Sequence, residues 1–241
     1  TYLLILLIFI FRFKDKFAMF LSVVLPSAYI NYVVSGLPVF NAIWDPSEGV
    51  VVSILTLAND ILVVPTYLVL SEIYILKKNN EKRIQNGEPK INFSKKQALK
   101  IFLHVIKSPI LIGDVCGFIY AATGLPVPTY FKSLTQMMGD VVLPISLFSV
   151  GIFLAQHSFI ACHWLKFIVM IIIRHIISPL FAAIFAYALH FNNKLSRQCT
   201  LMTASPTAVA CYLITSTSGI GTGAASTMIF WTTVLSVPFI I

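Results

Sequence analysis

The chain has 241 residues, of which 58% are hydrophobic and only 11% charged, and its formal net charge is +8. A soluble domain has roughly 45–50% apolar and about 25% charged residues, so this composition excludes an ordinary soluble enzyme and a disordered tail. A membrane-spanning helix needs about 20 mostly apolar residues, which leaves room for about eight spans. The composition therefore predicts a membrane protein with several helical spans.

Hydropathy divides the chain into eight apolar segments. Lipid offers no partners to backbone polar groups, so these long unbroken runs are predicted to be helices and the fold to be all-α. In chain order the segments cover about residues 1–11, 17–43, 50–76, 109–125, 134–156, 164–190, 198–217 and 222–241.

The basic residues are concentrated in one polar stretch, residues 77–108. Nine of the 17 Lys and Arg lie there. Basic loops tend to stay in the cytoplasm, so the clustering indicates orientation, and nucleic acid is not expected as a partner. The first part of the stretch is predicted to be a solvated linker. Residues 94–107 place basic residues opposite apolar ones and are predicted to form an amphipathic helix on the inner leaflet.

Two apolar segments contain helix-breaking residues well inside them. The first runs from Asn31 through Gly36 to Pro38, and the second contains Pro206 and Thr207. Proline removes a backbone donor and clashes with the preceding turn, so each helix is predicted to open there. Broken helices at corresponding places in two halves are typical of the binding site of a secondary transporter.

The order of the segments indicates a partial internal repeat. Each break is followed by a polar loop and a final span with a proline, Pro65 in one half and Pro238 in the other. The second half, residues 109–241, contains five segments with the break in the fourth. The first half, residues 1–76, contains three segments with the break in the second. We therefore expect two further helices to belong before residue 1.

These motifs resemble the auxin efflux carrier family of membrane transporters, which includes the plant PIN-type carriers and many microbial permeases. The similarity extends over nearly the whole chain apart from the basic linker. The matching pieces are Asn31-x4-Gly36-x-Pro38, Pro65, Ser108-Pro109 to Leu125-Pro126, Pro144 to Gly151, Ser205-Pro206-Thr207 to Tyr212, and Ser226-Thr227 to Val237-Pro238.

The resemblance implies eight transmembrane helices remaining from a ten-helix inverted-repeat transporter, with two broken helices that cross near the middle of the membrane. It places Asn31 at a polar position of the first crossover, and Gly36 and Pro38 on the first break. It places Pro206 and Thr207 on the second break. These five residues are the predicted substrate-binding residues. The chain departs from the family at Ala210, where many members have asparagine.

Three of the charged residues inside predicted spans are candidates for a functional role. Arg174 lies about ten residues into its segment, and a charge at that depth requires a partner or water. An ion pair, a carbonyl clamp and anion binding all remain open for it. Asp60 and Asp114 are membrane-embedded carboxylates that either carry charge or protons during transport or pair with Arg174 or Lys107.

The sequence thus predicts a secondary transporter that moves a small organic, anionic solute by alternating access. A coupling proton or sodium ion, the lipid bilayer and a homodimer are the other expected partners. No cofactor or metal is expected, because the four cysteines form no CxxC pair and the five histidines do not cluster. GxSxG and HExxH motifs are absent, so we do not expect an enzyme. The alternative is a non-transporting membrane scaffold or an inactive truncated fragment.

Overall fold

The part of the chain that the structure describes is mainly helical. This computed structural model describes residues 15–89, 99, 103, 107, 109–156 and 158–240. No strand occurs among these residues, so the all-α prediction is confirmed for them. The α-helices of this part are α1 (Lys16–Ala28), α2 (Leu37–Ile43), α3 (Val50–Ala58), α4 (Val64–Gln85), α5 (Pro109–Ala122), α6 (Thr129–Gln156), α7 (Trp164–Ile172), α8 (Ser178–Ala188), α9 (Asn193–Thr203), α10 (Ala210–Ser218) and α11 (Thr222–Ile240).

Helix α1 lies at the centre of the core. Its sequence KFAMFLSVVLPSA is apolar on every side, which is typical of a helix with neighbours all round. The stretch from Phe20 to Ala28 is buried, and α4, α7, α10 and α11 pack around it. The Asp15 carboxylate begins the helix by accepting a hydrogen bond from the Ala18 N–H at 3.0 Å.

The loop before α11 lies directly on α1. Gly221 has φ +79°, and a Cβ atom added to it would lie 2.7 Å from the Ser22 Cα atom. A side chain cannot fit at this approach, and the left-handed conformation also favours glycine. From α4, the Tyr67 hydroxyl donates to the Ile220 carbonyl at 3.2 Å. The loop therefore joins both halves of the chain to the central helix.

Many large apolar side chains are exposed, as expected for a protein surrounded by lipid. Phe148 and Met137 on α6, for example, have exposed fractions of 71% and 69%. Two helical stretches of the described part, Pro46–Gln85 and Trp164–Ala188, are long and apolar enough to cross a membrane. The count of eight spans and the inverted repeat remain predictions. The predicted segment 1–11 lies outside the described residues, as does nearly all of the amphipathic helix at 94–107.

The third predicted segment and the linker differ from the structure at their boundary. Helix α4 continues to Gln85, although the sequence predicted that the segment would end near residue 76. The extra turns consist mainly of Lys, Asn, Glu and Arg, and the long charged side chains among them are good helix formers even without apolar periodicity. Gly87, with φ +76°, follows the helix and allows the chain to turn away. These turns are largely exposed.

Among the described residues, three π-helices directly precede α-helices, and each ends two residues before a proline. They are π1 (Tyr32–Gly36) before Pro38, π2 (Asn59–Val63) before Pro65, and π3 (Ile173–Ile177) before Pro179. Proline cannot donate to the carbonyl four residues earlier and its ring clashes with that carbonyl. The wider turn of a π-helix relieves this clash, so the chain stays helical through each proline.

The Asp15 carboxylate gives a test of the junction between α1 and α4. Hydrogen bonds from the Ala18 N–H, and then from the Tyr74 hydroxyl at 2.7 Å, hold the pKa of Asp15 below its ordinary value of 3.8. A lowered carboxylate pKa stabilises the fold above the ordinary value, and this contribution is lost as the pH falls through the lowered value. We expect the unfolding temperature of wild type to exceed that of Asp15→Asn at neutral pH, and the gap to close as the pH falls from the ordinary pKa through the lowered one.

The Asp15→Ala variant serves as the control, because it removes the cap as well as the charge. Its unfolding temperature should stay below that of Asp15→Asn at every pH, because asparagine still caps a helix and alanine does not. A gap between wild type and Asp15→Asn that does not change with pH would contradict the assignment.

Candidate functional site

The first helix break lies earlier than the sequence predicted. The chain leaves the helix at Tyr29–Asn31, directly after α1, whereas Gly36 and Pro38 lie inside the helical stretch formed by π1 and α2. The prediction that Gly36 and Pro38 lie on the break is therefore wrong. The reason is the π-helix, which accommodates Pro38 without opening the chain.

The second break lies where the sequence predicted it. Helix α9 ends at Thr203 and α10 begins at Ala210, so Pro206 and Thr207 lie in a non-helical segment. Both residues are buried. The Thr207 N–H donates to the Thr232 hydroxyl on α11 at 2.9 Å, and the Thr207 hydroxyl donates to the Pro26 carbonyl on α1 at 2.8 Å. Thr207 thus attaches the second break to the central helix and to the last helix.

The two breaks pair with each other through their backbones. The Asn31 N–H donates to the Pro206 carbonyl at 2.9 Å, and the Ala208 N–H donates to the Tyr29 carbonyl at 3.2 Å. Ile30 and Thr207 face each other as an isolated antiparallel bridge. We call this pairing of residues 29–31 with residues 206–208 the crossing. It supplies partners to backbone groups that neither helix can satisfy.

Arg174 lies behind the crossing as a carbonyl clamp, one of the three roles that the sequence left open for it. Its side chain is fully buried in π3. One terminal nitrogen donates to the Ser27 carbonyl at 3.4 Å, and the other donates to the carbonyls of Ser205 and Pro206. The Ser27 carbonyl lies in the last turn of α1, and the carbonyls of Ser205 and Pro206 lie just past the C-terminal end of α9. Helix dipoles concentrate negative charge at such ends. One guanidinium therefore stabilises both broken ends.

Gly36 and Asn31 each have a structural role next to the breaks. A Cβ atom on Gly36 would lie 3.2 Å from the Ser205 hydroxyl oxygen and 3.4 Å from the Met202 sulfur, so Gly36 permits close packing against the second break. Asn31 precedes π1, and its side-chain oxygen accepts from the Val34 N–H at 3.2 Å. Its amide nitrogen donates to the Ser35 hydroxyl at 3.1 Å. Asn31 therefore caps the helical stretch that follows the first break.

A cavity of about 420 Å³ adjoins the crossing, and Arg174 is not among the residues that line it. Its walls come from the crossing, from the first turns of π1 and α10, from the junction of α3 and π2, and from α6. The polar side chains that line it include Tyr29, Asn31, Thr56, Asn59, Asp60 and Ser149. Among the described lining residues none is Lys, Arg or His. In the described part of the chain, no three His, Cys, Asp or Glu side chains form a metal-ligand group.

Asn59 and Asp60 connect the third helical segment to the first break. The Asn59 amide nitrogen donates to the Ile30 carbonyl at 3.0 Å, and the Tyr29 hydroxyl donates to the Asp60 carboxylate at 2.8 Å. The sequence prediction included Asp60 but not Asn59 or Tyr29. An Asn-Asp pair inside an apolar run was the available signal for Asn59, whereas Tyr29 looked like an ordinary core residue. Asp114 lies in α5, and its side chain is outside the described part.

The carbonyl clamp generates a stability prediction. Arg174→Ala removes a donor from three buried carbonyls, of which the Pro206 carbonyl keeps the Asn31 N–H. Each buried group left unsatisfied costs about 1–3 kcal/mol. Because partial relaxation is expected, we predict a loss of about 3 kcal/mol, measured as denaturant-induced unfolding in detergent by tryptophan fluorescence. Arg197→Ala on α9 is the matched control, because Arg197 is exposed and its loss should change stability by less than about 0.5 kcal/mol. Equal losses in the two variants would refute the clamp.

The comparisons with known proteins agree with this architecture. The model of the family described as membrane transport protein matches residues 1–241. A search of curated proteins finds no match. The family is membrane-integral and its members are transporters, so the predicted resemblance and the membrane location are confirmed at that level. Because the match covers every residue, the chain belongs to the membrane transport protein family, the family of the auxin efflux carriers.

Proposed function

We propose that this chain is a secondary transporter that binds a small organic solute in the cavity beside the crossing and moves it by alternating access. The observation that carries the proposal is that a solute-sized cavity is lined by both breaks at once. A site shared by two interrupted helices is the arrangement expected of secondary transporters. The family supplies transport as the general activity, and the cavity supplies a place for the solute.

The ends of the broken helices favour the predicted anionic solute. The cavity is lined by Tyr32, Val33 and Val34 in the first turn of π1, and by Val209 and Ala210 at the start of α10. The first N–H groups of a helix have no carbonyl partner within that helix and carry a partial positive charge. The Asn31 side chain already caps the Val34 N–H, so the other N–H groups of these turns are the ones that can bind a carboxylate here without a basic side chain. Arg174 would act indirectly, by holding the crossing in place.

Alternating access requires a rigid part that holds the solute and a second part that moves against it. Arg174 and Thr207 join both breaks to α1, α7 and α11, which favours their moving as one unit. The opposite wall includes Ile145 and Ser149 of α6. We propose that displacement between α6 and the crossing opens the cavity first to one side of the membrane and then to the other.

Transport and the role of Asn31 are tested together in proteoliposomes made from the full-length protein. The probes are radiolabelled aromatic monocarboxylates and aliphatic mono- and dicarboxylates. We expect saturable uptake of at least one of them, and a fall of about tenfold in uptake efficiency for Asn31→Ala. A loss of about 1.4 kcal/mol of solute binding corresponds to that factor. No saturable uptake of any probe would contradict an organic-anion transporter.

The matched control for Asn31→Ala is Asn192→Ala. Asn192 caps α9 by accepting from the Leu195 N–H at 2.7 Å, so it has the same capping role as Asn31 but is exposed and does not line the cavity. Each variant should lose about 1 kcal/mol of helix stability with its cap. Only Asn31→Ala should reduce uptake. Equal uptake by both variants would remove Asn31 from the site and leave it as a helix cap.

A further inference from the structure

We propose that Asp60 is the binding site for a monovalent cationic group that is carried together with the anionic end of the solute. This inference rests on the proposed function and deepens it. Two sources share the required chemistry, namely an inorganic cation such as Na⁺ and an ammonium group on the solute itself. The experiment below distinguishes them.

The carboxylate faces the solute cavity and is held in position from the first break. Asp60 lies in π2, and the Tyr29 hydroxyl donates to it at 2.8 Å. A phenol that donates a hydrogen bond stabilises the charged form of a carboxylate. Because the Tyr29 carbonyl also accepts from Ala208 N–H in the crossing, the position of Asp60 depends on both breaks.

The lining around Asp60 is rich in oxygen. The Thr56 hydroxyl donates to the Val52 carbonyl at 2.8 Å, which leaves its lone pairs to accept or to coordinate. The Asn59 amide nitrogen donates to the Ile30 carbonyl, so the side-chain oxygen of Asn59 is the atom left for other partners. Thr56, Asn59 and Asp60 all line the cavity. Carboxylate, amide and hydroxyl oxygens suit a hard cation or an ammonium group.

The charges of the two subsites complement each other. Helix N-termini at one part of the cavity favour an anion, and the Asp60 carboxylate favours a cation. Opposite charges attract far more strongly in a cavity of low dielectric than in water, so each ligand should strengthen the binding of the other. If the cation is inorganic, it would couple solute binding to a cation gradient. If the cationic group is an ammonium group on the solute, the site would select a zwitterionic solute.

The test is the unfolding temperature of the full-length protein in detergent, without solute. Chlorides of sodium, methylammonium and N-methyl-D-glucamine are compared at equal ionic strength and one neutral pH, with N-methyl-D-glucamine as the bulky reference. A ligand at ten times its dissociation constant should raise the unfolding temperature by about 3–6 °C. A rise with sodium alone indicates an inorganic cation. A rise with methylammonium, alone or together with sodium, indicates an ammonium site. No rise with either salt over the reference would overturn the proposal.

Asp60→Asn is the decisive variant, because asparagine keeps the shape and an acceptor for the Tyr29 hydroxyl while removing the charge. We expect it to abolish the shift. Asp140→Asn is the matched control, because Asp140 is exposed on α6 and does not line the cavity, and it should keep the full shift. A shift that persists in Asp60→Asn would overturn the site. If that variant aggregates, Thr56→Val replaces it and should raise the half-maximal cation concentration severalfold, with an unchanged value counting against the site.

The cation measurement needs no transport, so the two proposals can fail separately. Saturable carboxylate uptake without a cation-dependent shift would keep the transporter and reject Asp60 as its cation site. A shift that depends on Asp60 without uptake of any carboxylate would keep the cation site and reject an organic anion as the transported solute.

Discussion

The structure depends on the hydrogen-bond partners of the backbone groups at which two helices stop inside an apolar core. Lipid and apolar side chains offer those groups no hydrogen-bond partner, and a buried carbonyl without one costs free energy. The crossing pairs one N–H and one carbonyl of each break with the other break. Arg174 then binds the carbonyls of Ser27 and Ser205 with a single rigid guanidinium, and it adds a second donor to the Pro206 carbonyl. Each break therefore supplies hydrogen-bond partners to the other.

The two kinds of helix end have different surroundings at the crossing. The C-terminal ends of α1 and α9 meet the buried guanidinium, whereas the starts of π1 and α10 line the cavity. The negative ends are thus neutralised inside the protein, and the positive ends lie at the cavity wall.

Reasoning from the sequence located the second break, the embedded charge of Arg174 and the family, because prolines and intramembrane charges stand out against an apolar background. It misplaced the first break, because a proline inside an apolar run predicts that the helix opens at the proline, here Pro38. The pattern cannot reveal that a π-helix absorbs the proline, because that depends on whether neighbouring packing tolerates a wider turn. The partners of Arg174 could not be predicted either, since backbone carbonyls leave no signature in side-chain identity. Asn59 and Tyr29 acquire their roles only from the pairing of distant segments.

The backbone pairing of the crossing has a consequence for how such a protein can change its specificity over evolutionary time. The hydrogen bonds between residues 29–31 and 206–208 use main-chain atoms, so they do not depend on which side chains surround the cavity. Substitutions at lining positions such as Ser149 or Ala210 can therefore alter the shape and polarity of the cavity while the scaffold of the site persists. One architecture can in this way suit many solutes. A few replaceable side chains would determine recognition, and the backbone framework around them would stay the same.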